Sequence, residues 1–287
     1  MASIKNVYLD TISINKIFDL VPQKIGLKRL KNYNYVISSC QIDELSMIES
    51  NEARSQKIKL LFDLSDKMKL KDHIEIMASE TLYELGVINS IDYIDPKFKE
   101  YNFIIKQIIK KRISNEYQKR FTEWMNFAKN LYKSEENMIR KIFKPFFDLA
   151  QSYGFKKDFR TLFGEMLRDG QVNEFVYNHL EYEKEFLGFD FSKIKEEIYS
   201  IDISKLKCTY VGIQAKLAFS YLASFDKGKL SKVKPSDQID VRHLFYLNYV
   251  DLFVTDDKKM KRIRDDNMLD GLISDIVDTE EFINYHF

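Results

Sequence analysis

The fold is decided by the stretch Asp240-Val-Arg-His-Leu-Phe-Tyr-Leu-Asn-Tyr-Val-Asp251-Leu-Phe-Val-Thr255-Asp-Asp257. Its first part belongs to a helical pattern over roughly residues 237–249, and its last part is a short apolar run, residues 251–255. A short, continuous apolar run is typical of a strand buried on both faces, as in parallel sheets. A helix, a strand and two acids in this order predict an α/β unit with carboxylates at the carboxyl end of the strand.

Three further segments show the same kind of alternation. An apolar run ends in an acid at residues 6–10, and a second run, residues 35–38, leads into a helical pattern over about 41–49. Residues 272–277 are the last strand candidate before a terminal helix. Strands that alternate with helices predict a parallel α/β sheet flanked by helices.

The middle of the chain has a different pattern. Between about residues 51 and 229 helical periodicity dominates. One weak strand candidate, residues 74–77, precedes another helix at residues 79–85. We therefore expect one α/β core formed by residues 1–50 and 230–287, with residues 51–229 as a large, mostly helical insertion.

Composition excludes several classes of protein. The formal net charge is +1, so any nucleic-acid contact has to come from a local basic patch. Cys40 and Cys208 have no CxxC partners, which argues against zinc fingers and disulfide frameworks and is typical of a reducing compartment. The N-terminal residues show no signal-peptide pattern, and no apolar run approaches the ~18 residues of a membrane span. We expect a cytoplasmic protein with no membrane partner.

Carboxylates from distant parts of the sequence are expected to meet at one edge of the sheet. Asp10 closes the first strand, Glu44 lies one turn into the helix after the second, and Asp240 lies near the start of the helix before the third. Asp256 and Asp257 follow the third strand directly. Ligands of open α/β sheets bind beyond the carboxyl ends of the strands, so a site is expected at this edge.

The crowded acids of this edge favour a metal site. Carboxylates close together repel each other and raise each other's pKa values. A Mg²⁺ or Mn²⁺ ion removes that penalty, because hard divalent cations take carboxylate oxygens as ligands. Such an ion can activate a water molecule and place it in line with a phosphodiester. The acids therefore favour metal-dependent hydrolysis of a nucleic-acid backbone.

Three motifs of the chain resemble those of PIN-domain ribonucleases. Val7-Tyr-Leu-Asp10-Thr11 is similar to the first motif, and Ser38-Ser-Cys-Gln-Ile-Asp-Glu44-Leu45 is similar to the second, in which a Glu opens a helix. The stretch 240–257 is similar to the third and fourth motifs run together and is the most specific part. Residues 5–49 and 235–285, about a third of the chain, carry the resemblance.

The resemblance implies a PIN-like fold, dependence on Mg²⁺ or Mn²⁺, and hydrolysis of RNA that is single-stranded or structured, as in tRNA. It assigns the metal-ligand and catalytic roles to Asp10, Glu44, Asp240 and Asp257. It assigns auxiliary roles to Thr11, Thr255, Asp256 and Asp237. In this pattern Thr255 helps to orient Asp257.

Several acids have a second interpretation. For Asp10 the alternative is that it caps the following helix instead of binding a metal. Asp43 is a neighbour of Glu44 that points in another direction on a helix, where solvation is the simpler role. Asp237 shares a helix face with Asp240, and it follows Pro235-Ser236, which favours a capping role.

The first motif departs from the family pattern at Ile12, where members often have Asn or Ser. Ser13 or Asn15 can supply the missing polar contact, or the contact is absent. Between the two acids after the third strand, the family pattern favours Asp257 and leaves Asp256 as an auxiliary.

A basic segment in the middle of the chain is a candidate for RNA binding. Residues 97–144 contain 13 Lys and Arg against 5 Glu. The candidate phosphate contacts are Lys110, Lys111, Arg112, Lys119 and Arg120. The simpler interpretation is a solvated helix face.

Two aromatic side chains have a functional and a structural interpretation. Trp124 could stack on a base, but it lies in a stripe of helical period, residues 117–131, which favours core packing. His243 lies one turn after Asp240; contact with a substrate phosphate is less favoured than a place in the core or on a helix surface.

The leading hypothesis is a metal-dependent endoribonuclease that acts as a toxin or defence effector, with RNA and an inhibitor or defence-complex protein as partners. The alternative is a PIN-like adaptor without strong catalysis, which binds RNA or protein through its helical insertion. A haloacid-dehalogenase-type phosphatase is disfavoured, because that family needs a second Asp at the position of Ile12.

Overall fold

Four parallel strands form one sheet within the residues that the computed structural model describes, which are 5–20, 33–46, 51–64, 69–95, 159–225 and 241–286. The strands are β1 (Asn6–Leu9), β2 (Asn34–Tyr35), β3 (Leu252–Val254) and β4 (Asp275–Val277), in the order β2-β1-β3-β4. Both ends of the chain contribute to the sheet. The predicted α/β class with a parallel sheet flanked by helices is confirmed.

Helices make up most of the remaining described chain. At the two ends they are α1 (Thr11–Leu20), α2 (Ser39–Ser46), α10 (Lys258–Asp265) and α11 (Thr279–His286). In the middle they are α3 (Asn51–Leu64), α4 (His73–Glu84), α5 (Phe159–Arg168), α6 (Gln171–Tyr182), α7 (Lys184–Leu187), α8 (Lys195–Ser200) and α9 (Lys207–Phe225). Short 3₁₀ helices are η1 (Phe191–Ile194), η2 (Ile203–Lys205) and η3 (Leu244–Tyr249).

The sheet separates two hydrophobic clusters, because successive strand side chains point to opposite faces. Tyr8 and Phe253 pack in one cluster with side chains of α4, α5, α6 and α9. Val7 and Val254 pack in the other with side chains of α1, α3 and α11. Helices of the segment 51–229 therefore cover both faces of the sheet. The division into a core of residues 1–50 and 230–287 and a separate insertion stays a prediction.

One predicted strand is wrong. Residues 74–77 lie in the first turns of α4, which also includes most of the predicted helix 79–85. The reason is a capping box: the Asp72 side chain accepts from the Ile74 N–H, and the Glu75 side chain accepts from the Asp72 N–H at 2.9 Å. The alternating apolar residues resemble a strand, but the cap and burial on several sides of α4 favour a helix.

Other predicted elements shift at their ends. The predicted helix 41–49 is α2, which begins two residues earlier. The predicted helix 237–249 is described from residue 241 onwards, where one helical turn continues into η3, a tighter 3₁₀ helix. The aromatic stripe 117–131 lies outside the described residues. Among the described helices, none is long and apolar enough to cross a membrane.

A close helix contact in the core joins α9 to η3 at Gly212. A Cβ atom on Gly212 would lie 2.4 Å from Phe245 Cδ1 and 2.9 Å from the Phe245 Cα atom. Only the absence of a side chain lets the two backbones approach so closely. Since His243 directly precedes η3, this contact also sets the position of the residues that lead to the site.

Gly212→Ala should destabilise the protein by at least about 2 kcal/mol, because the new methyl group would collide with the backbone of η3. Gly164→Ala is the matched control: Gly164 is also inside a helix, and the nearest atom to its new Cβ would be a flexible arginine tip at 3.9 Å. That change should be neutral or stabilising by about 0.5–1 kcal/mol. Urea denaturation of the two variants measures the difference, and equal stabilities would contradict the close-packing account.

A buried carboxylate caps α9 from a neighbouring helix. Glu80 in α4 is 1% exposed and accepts hydrogen bonds from the backbone N–H groups of Cys208 and Thr209, at 2.9 and 2.8 Å. The hydroxyl of Tyr93 donates to the same carboxylate at 3.0 Å. These contacts satisfy donors at the helix start that have no intrahelical acceptor.

Glu80→Ala should therefore destabilise the protein by about 3 kcal/mol, because it leaves buried donors without an acceptor. Glu84→Ala, on the same helix, removes a surface ion pair with Lys205 and should leave stability nearly unchanged. Thermal unfolding followed by circular dichroism tests the pair. A Glu80→Ala protein as stable as Glu84→Ala would refute the capping role.

Candidate functional site

Asp10 lies at the carboxyl end of β1 and caps α1. Its backbone N–H donates to the Val254 carbonyl at 3.0 Å, which continues the pairing of β1 with β3 by one residue. Its Oδ1 accepts from the backbone N–H of Ser13 at 2.7 Å, in the first turn of α1. Asp10 is 7% exposed. The alternative role of a helix cap is thus present in the structure, and it does not by itself prevent a role in the site.

Thr255 links Asp10 to the acids that follow β3. Its hydroxyl donates to Asp10 Oδ2 at 2.5 Å and accepts from the backbone N–H of Asp257 at 3.1 Å. Thr255 is 1% exposed, so this link is shielded from water. The hydroxyl therefore holds the Asp10 side chain and the Asp257 backbone at one point, through a contact with the main chain of Asp257 rather than with its carboxylate.

The two acids after β3 point to different partners. Asp257 Oδ1 accepts from the backbone N–H groups of Lys259 and Met260, at 2.7 and 3.0 Å, and so caps α10. Asp256 instead pairs with Lys16 of α1 at 3.0 Å and accepts from Thr279 of α11. Asp256 is therefore part of the contact between helices, while Asp257 remains beside Thr255.

Thr11, the residue after Asp10, holds the Glu44 side chain near the carboxyl end of β1. The Thr11 hydroxyl donates to Glu44 Oε2. Gln41, one turn earlier on α2, donates from Nε2 to the Leu9 carbonyl at 2.5 Å and accepts the Ser38 N–H at 2.7 Å. Since Gln41 and Glu44 share a helix face, anchoring Gln41 at the end of β1 also turns Glu44 towards that end.

His243 is buried and contacts one of the candidate acids, Glu44. Its side chain is 3% exposed, and its Nε2 lies 3.2 Å from Glu44 Oε2. Its Nδ1 lies 2.5 Å from the hydroxyl of Tyr8, which in turn lies 2.6 Å from Ser38 Oγ. Of its two predicted roles, the core position is the one observed, and the ring contacts a candidate acid directly.

The environment shifts the two central carboxyl groups in opposite directions. Burial raises the pKa of Asp10, although hydrogen bonds from Thr255 and Ser13 and the nearby His243 act the other way. Burial also acts to raise the pKa of Glu44, but His243, Thr11 and Arg242 outweigh it, so that the pKa of Glu44 is lowered. Of these two carboxyl groups, Asp10 is therefore the one whose charged form is less stabilised by its surroundings.

The departure at Ile12 has a structural counterpart. Ile12 is 43% exposed and does not take part in the hydrogen bonds of Asp10. Ser13 supplies the polar contact instead, with its N–H to Asp10 and its hydroxyl to the Val254 carbonyl at 3.1 Å. Of the two predicted replacements, the structure thus shows Ser13 rather than Asn15 in contact with Asp10.

Several predicted site residues lie outside the described residues. These are Asp237, Asp240, Lys110, Lys111, Arg112, Lys119 and Arg120. The side chain of Asp43, the rival of Glu44, is also undescribed. The assignments of these residues stay predictions.

The donor set at this edge fits a hard divalent cation by its chemistry, since Asp10, Glu44 and Asp257 offer carboxylate oxygens near one strand end. Among the described residues, no three His, Cys, Asp or Glu side chains already form a group that could hold a metal ion. Asp240, the predicted fourth ligand, is not among them. Burial raises the pKa of the Asp10 carboxyl group, and a bound cation would favour its charged form, which is the observation that favours a cation here.

Sequence reasoning missed the residues that hold the acids in place. Gln41 and Ser38 lie inside the second motif, and the spacing of Gln41 and Glu44 on one helix face is the signal that could have identified the anchor. Tyr8 lies inside the first motif as a strand residue with a polar end. Its contact with His243 spans 235 residues of sequence and has no local signal.

Comparisons with known proteins leave the family open. No family model matches the chain, and no solved structure matches it. The chain is similar to Protein Ycf2 of the moss Physcomitrium patens, with 25% identity over 258 residues. The match covers 86% of this chain but 11% of that protein, so the chain spans about a tenth of its length. This similarity does not indicate a reaction.

Asp10→Asn should raise the melting temperature at pH 7 in EDTA. Because burial raises the folded pKa of Asp10, the ionised carboxylate weakens the folded state at neutral pH, whereas Asn keeps the helix cap without the charge. The gain should shrink as the pH falls from neutral towards about 4, where Asp10 becomes protonated.

The control is Asp202→Asn, which changes an exposed cap of η2 whose pKa is lowered by its bonds to Ser204. This change should lower the melting temperature or leave it unchanged. Differential scanning calorimetry gives both values. A lower melting temperature for Asp10→Asn than for the wild type at pH 7 would contradict the assigned environment.

Proposed function

We propose that the chain is a Mg²⁺- or Mn²⁺-dependent endoribonuclease with a PIN-like site at the carboxyl edge of β1 and β3. The observation that supports the proposal is a pair of threonine hydroxyls that link the segments carrying Asp10, Glu44 and Asp257. Thr11 bonds to Glu44, and Thr255 bonds to both Asp10 and the Asp257 backbone. This is the edge at which ligands bind in open α/β sheets.

The reaction in question is hydrolysis of a phosphodiester. Water attacks the phosphorus, and the bond to one ester oxygen breaks, so that a proton must leave the water and the departing oxygen must be neutralised. When bound, the divalent cation lowers the pKa of a water ligand and stabilises the charge on the phosphoryl oxygens. The role of the chain is then to hold the cation and align the RNA.

Some of the described residues would bind the cation, and others would orient those ligands. Asp10, held by Ser13 and Thr255, would bind the cation; Glu44, held by Thr11 and His243, would contribute a second carboxylate. Asp257 and Asp240 complete the proposed ligand set. Lys258, the first residue of α10, directly follows Asp257 and is exposed, so it can meet an RNA phosphate.

The proposal also includes a substrate, RNA, and a biological role. RNA is preferred over other phosphodiesters on the strength of the PIN-like motifs, with the basic residues Lys110, Lys111, Arg112, Lys119 and Arg120 as further contacts. A role as a toxin or defence effector, held in check by an inhibitor or complex protein, is the biological setting we propose for such an activity.

An adaptor function is the second candidate, and two observations favour it. Asp10 and Asp257 both cap helices, a role that a protein without catalysis would also retain. Ile12, exposed beside Asp10, places an apolar side chain where the family often has a polar one. In this case Asp10 and Asp257 would serve as helix caps only, and the helical middle would bind RNA or protein.

Asp257→Asn should reduce RNA cleavage by at least about 100-fold, because it removes a proposed metal ligand while Asn still caps α10. Cleavage of end-labelled single-stranded RNA and of tRNA is measured with Mn²⁺ and with EDTA. Asp190→Asn, which changes the cap of η1, is the matched control and should retain wild-type activity. Absence of Mn²⁺-dependent cleavage of both RNAs by the wild type would reject the nuclease.

Calorimetry separates the nuclease from the adaptor. The nuclease should bind Mn²⁺ saturably, and Asp10→Asn should lose this binding while remaining folded. An adaptor whose acids serve only as helix caps should show no saturable Mn²⁺ binding in either protein.

A further inference from the structure

A chain of buried polar contacts leads from Ser38 through Tyr8 and His243 to Glu44: the first two are hydrogen bonds, and the last is a charge contact. The distances are 2.6 Å from Ser38 Oγ to the Tyr8 hydroxyl, 2.5 Å from that hydroxyl to His243 Nδ1, and 3.2 Å from His243 Nε2 to Glu44 Oε2. Ser38 is 0% exposed, Tyr8 is 0% and His243 is 3%. Water therefore does not compete with these contacts, which join two segments of the chain that are far apart in sequence.

The chemistry of the groups sets the character of the last contact. A carboxylate oxygen only accepts, so the Glu44 charge favours a proton on His243 Nε2, 3.2 Å away. At the other ring nitrogen the Tyr8 hydroxyl can either donate to a bare Nδ1 or accept from a protonated one. In the first case Ser38 donates to Tyr8, and in the second Tyr8 donates to Ser38. The contact between His243 Nε2 and Glu44 is the same in both arrangements.

The orientation of the imidazole ring is also fixed by its packing. The Tyr8 ring stacks on Phe253 and on Tyr246, in both cases with 5.3 Å between ring centres, and meets His243 edge-on at 5.6 Å. On either side of His243 along the chain, Arg242 pairs with Asp72 at 3.0 Å and the Tyr246 hydroxyl donates to the Lys71 carbonyl at 3.3 Å. The ring is therefore held by covalent neighbours as well as by its own contacts.

Glu44 receives its contacts on one side. Within the described chain, Thr11 and His243 both contact Oε2 and not Oε1. A carboxylate held in this way presents its second oxygen in one direction, and partners of this kind tune metal-binding carboxylates in other proteins.

We infer that His243 is a positioning residue for Glu44, kept in its orientation by Tyr8 and Ser38. The inference rests on the proposed function, since it concerns the use of Glu44 as a metal ligand. His243 itself would touch neither RNA nor the cation, because it is buried behind Glu44. Its effect should appear in Mn²⁺ affinity and in kcat, and the KM for RNA should stay unchanged.

Two substitutions of His243 separate positioning from simple packing. The amide nitrogen of His243→Gln reaches the place of Nε2 and can still donate to Glu44. The shorter side chain of His243→Asn reaches the place of Nδ1, so it can keep Tyr8 as a partner but cannot reach Glu44. His243→Asn should weaken Mn²⁺ binding by about 10-fold or more and lower kcat by a similar factor. His243→Gln should remain within about threefold of the wild type in both.

A second pair of variants avoids large changes at the centre of the core. Tyr8→Phe keeps the stacked ring and removes the hydroxyl that orients His243, so Mn²⁺ binding should weaken by about threefold or more. Tyr246→Phe is the matched control, because it removes a hydroxyl from the same aromatic stack but not from the chain of bonds to Glu44. It should leave Mn²⁺ affinity and kcat unchanged.

The experiment is Mn²⁺ calorimetry and steady-state RNA cleavage on the full chain for the wild type and these four variants, with melting temperatures measured in parallel. Loss of Mn²⁺ affinity in His243→Asn and Tyr8→Phe, with retention in His243→Gln and Tyr246→Phe, supports the inference. If the wild type binds Mn²⁺ and cleaves RNA, and Tyr8→Phe and His243→Asn do the same equally well, the inference is overturned and the nuclease stands. If the wild type does neither, the proposed function itself is rejected, and the inference with it.

Discussion

The site depends on the parallel pairing of β1 with β3. Leu9 lies opposite Val254, so the next residue of each strand emerges at the same edge, and Thr255 can donate to Asp10 across 245 residues of sequence. Every other contact of the acids starts from this pairing. Without it, the N-terminal and C-terminal segments would carry isolated acids at the ends of short strands, and short strands gain little stability from their own hydrogen bonds.

The pairing is stabilised by burial on both faces of the sheet. One cluster contains Tyr8 and Phe253 with helices from the middle of the chain, and the other contains Val7 and Val254 with α1, α3 and α11. The acids thus lie where two layers of helices meet at the end of the sheet. Asp10 and Thr11 belong to the layer of α1, whereas His243 approaches with η3 from the layer that contains α9. The Glu44 carboxylate is where side chains from the two layers meet.

Much of the strand arrangement could be predicted from sequence, because continuous apolar runs followed by acids are local patterns. The end of β1 and the end of β3 are such cases. The strand predicted at residues 74–77 was wrong, because the capping box at Asp72 favours a helix more strongly than the alternating apolar residues favour a strand. A capping box depends on a few side-chain hydrogen bonds. The carboxylates were identified by residue type and position.

Their supports could not be predicted in the same way. The contact of Tyr8 with His243, and that of Glu80 with the start of α9, join residues that only the folded chain brings together. Gln41 is an intermediate case, since its place on the face of Glu44 is a local pattern but its acceptor is the Leu9 carbonyl. Sequence patterns thus indicate which groups can react, and tertiary contacts decide how these groups are held.

The helix caps formed by Asp10 and Asp257 have a consequence for the evolution of such a site. Each of these aspartates contributes to folding through bonds to backbone N–H groups, whatever else it binds. Selection for a stable fold would preserve a capping side chain at both positions in a descendant that had lost its chemistry, and Asn would serve at position 10 as well as Asp. Glu44 caps no helix, and its partners are side chains from Thr11 and His243. In a lineage that drifts away from catalysis, Glu44 and His243 would be substituted early, while Asp257 and a capping residue at position 10 would persist as remnants of the former site.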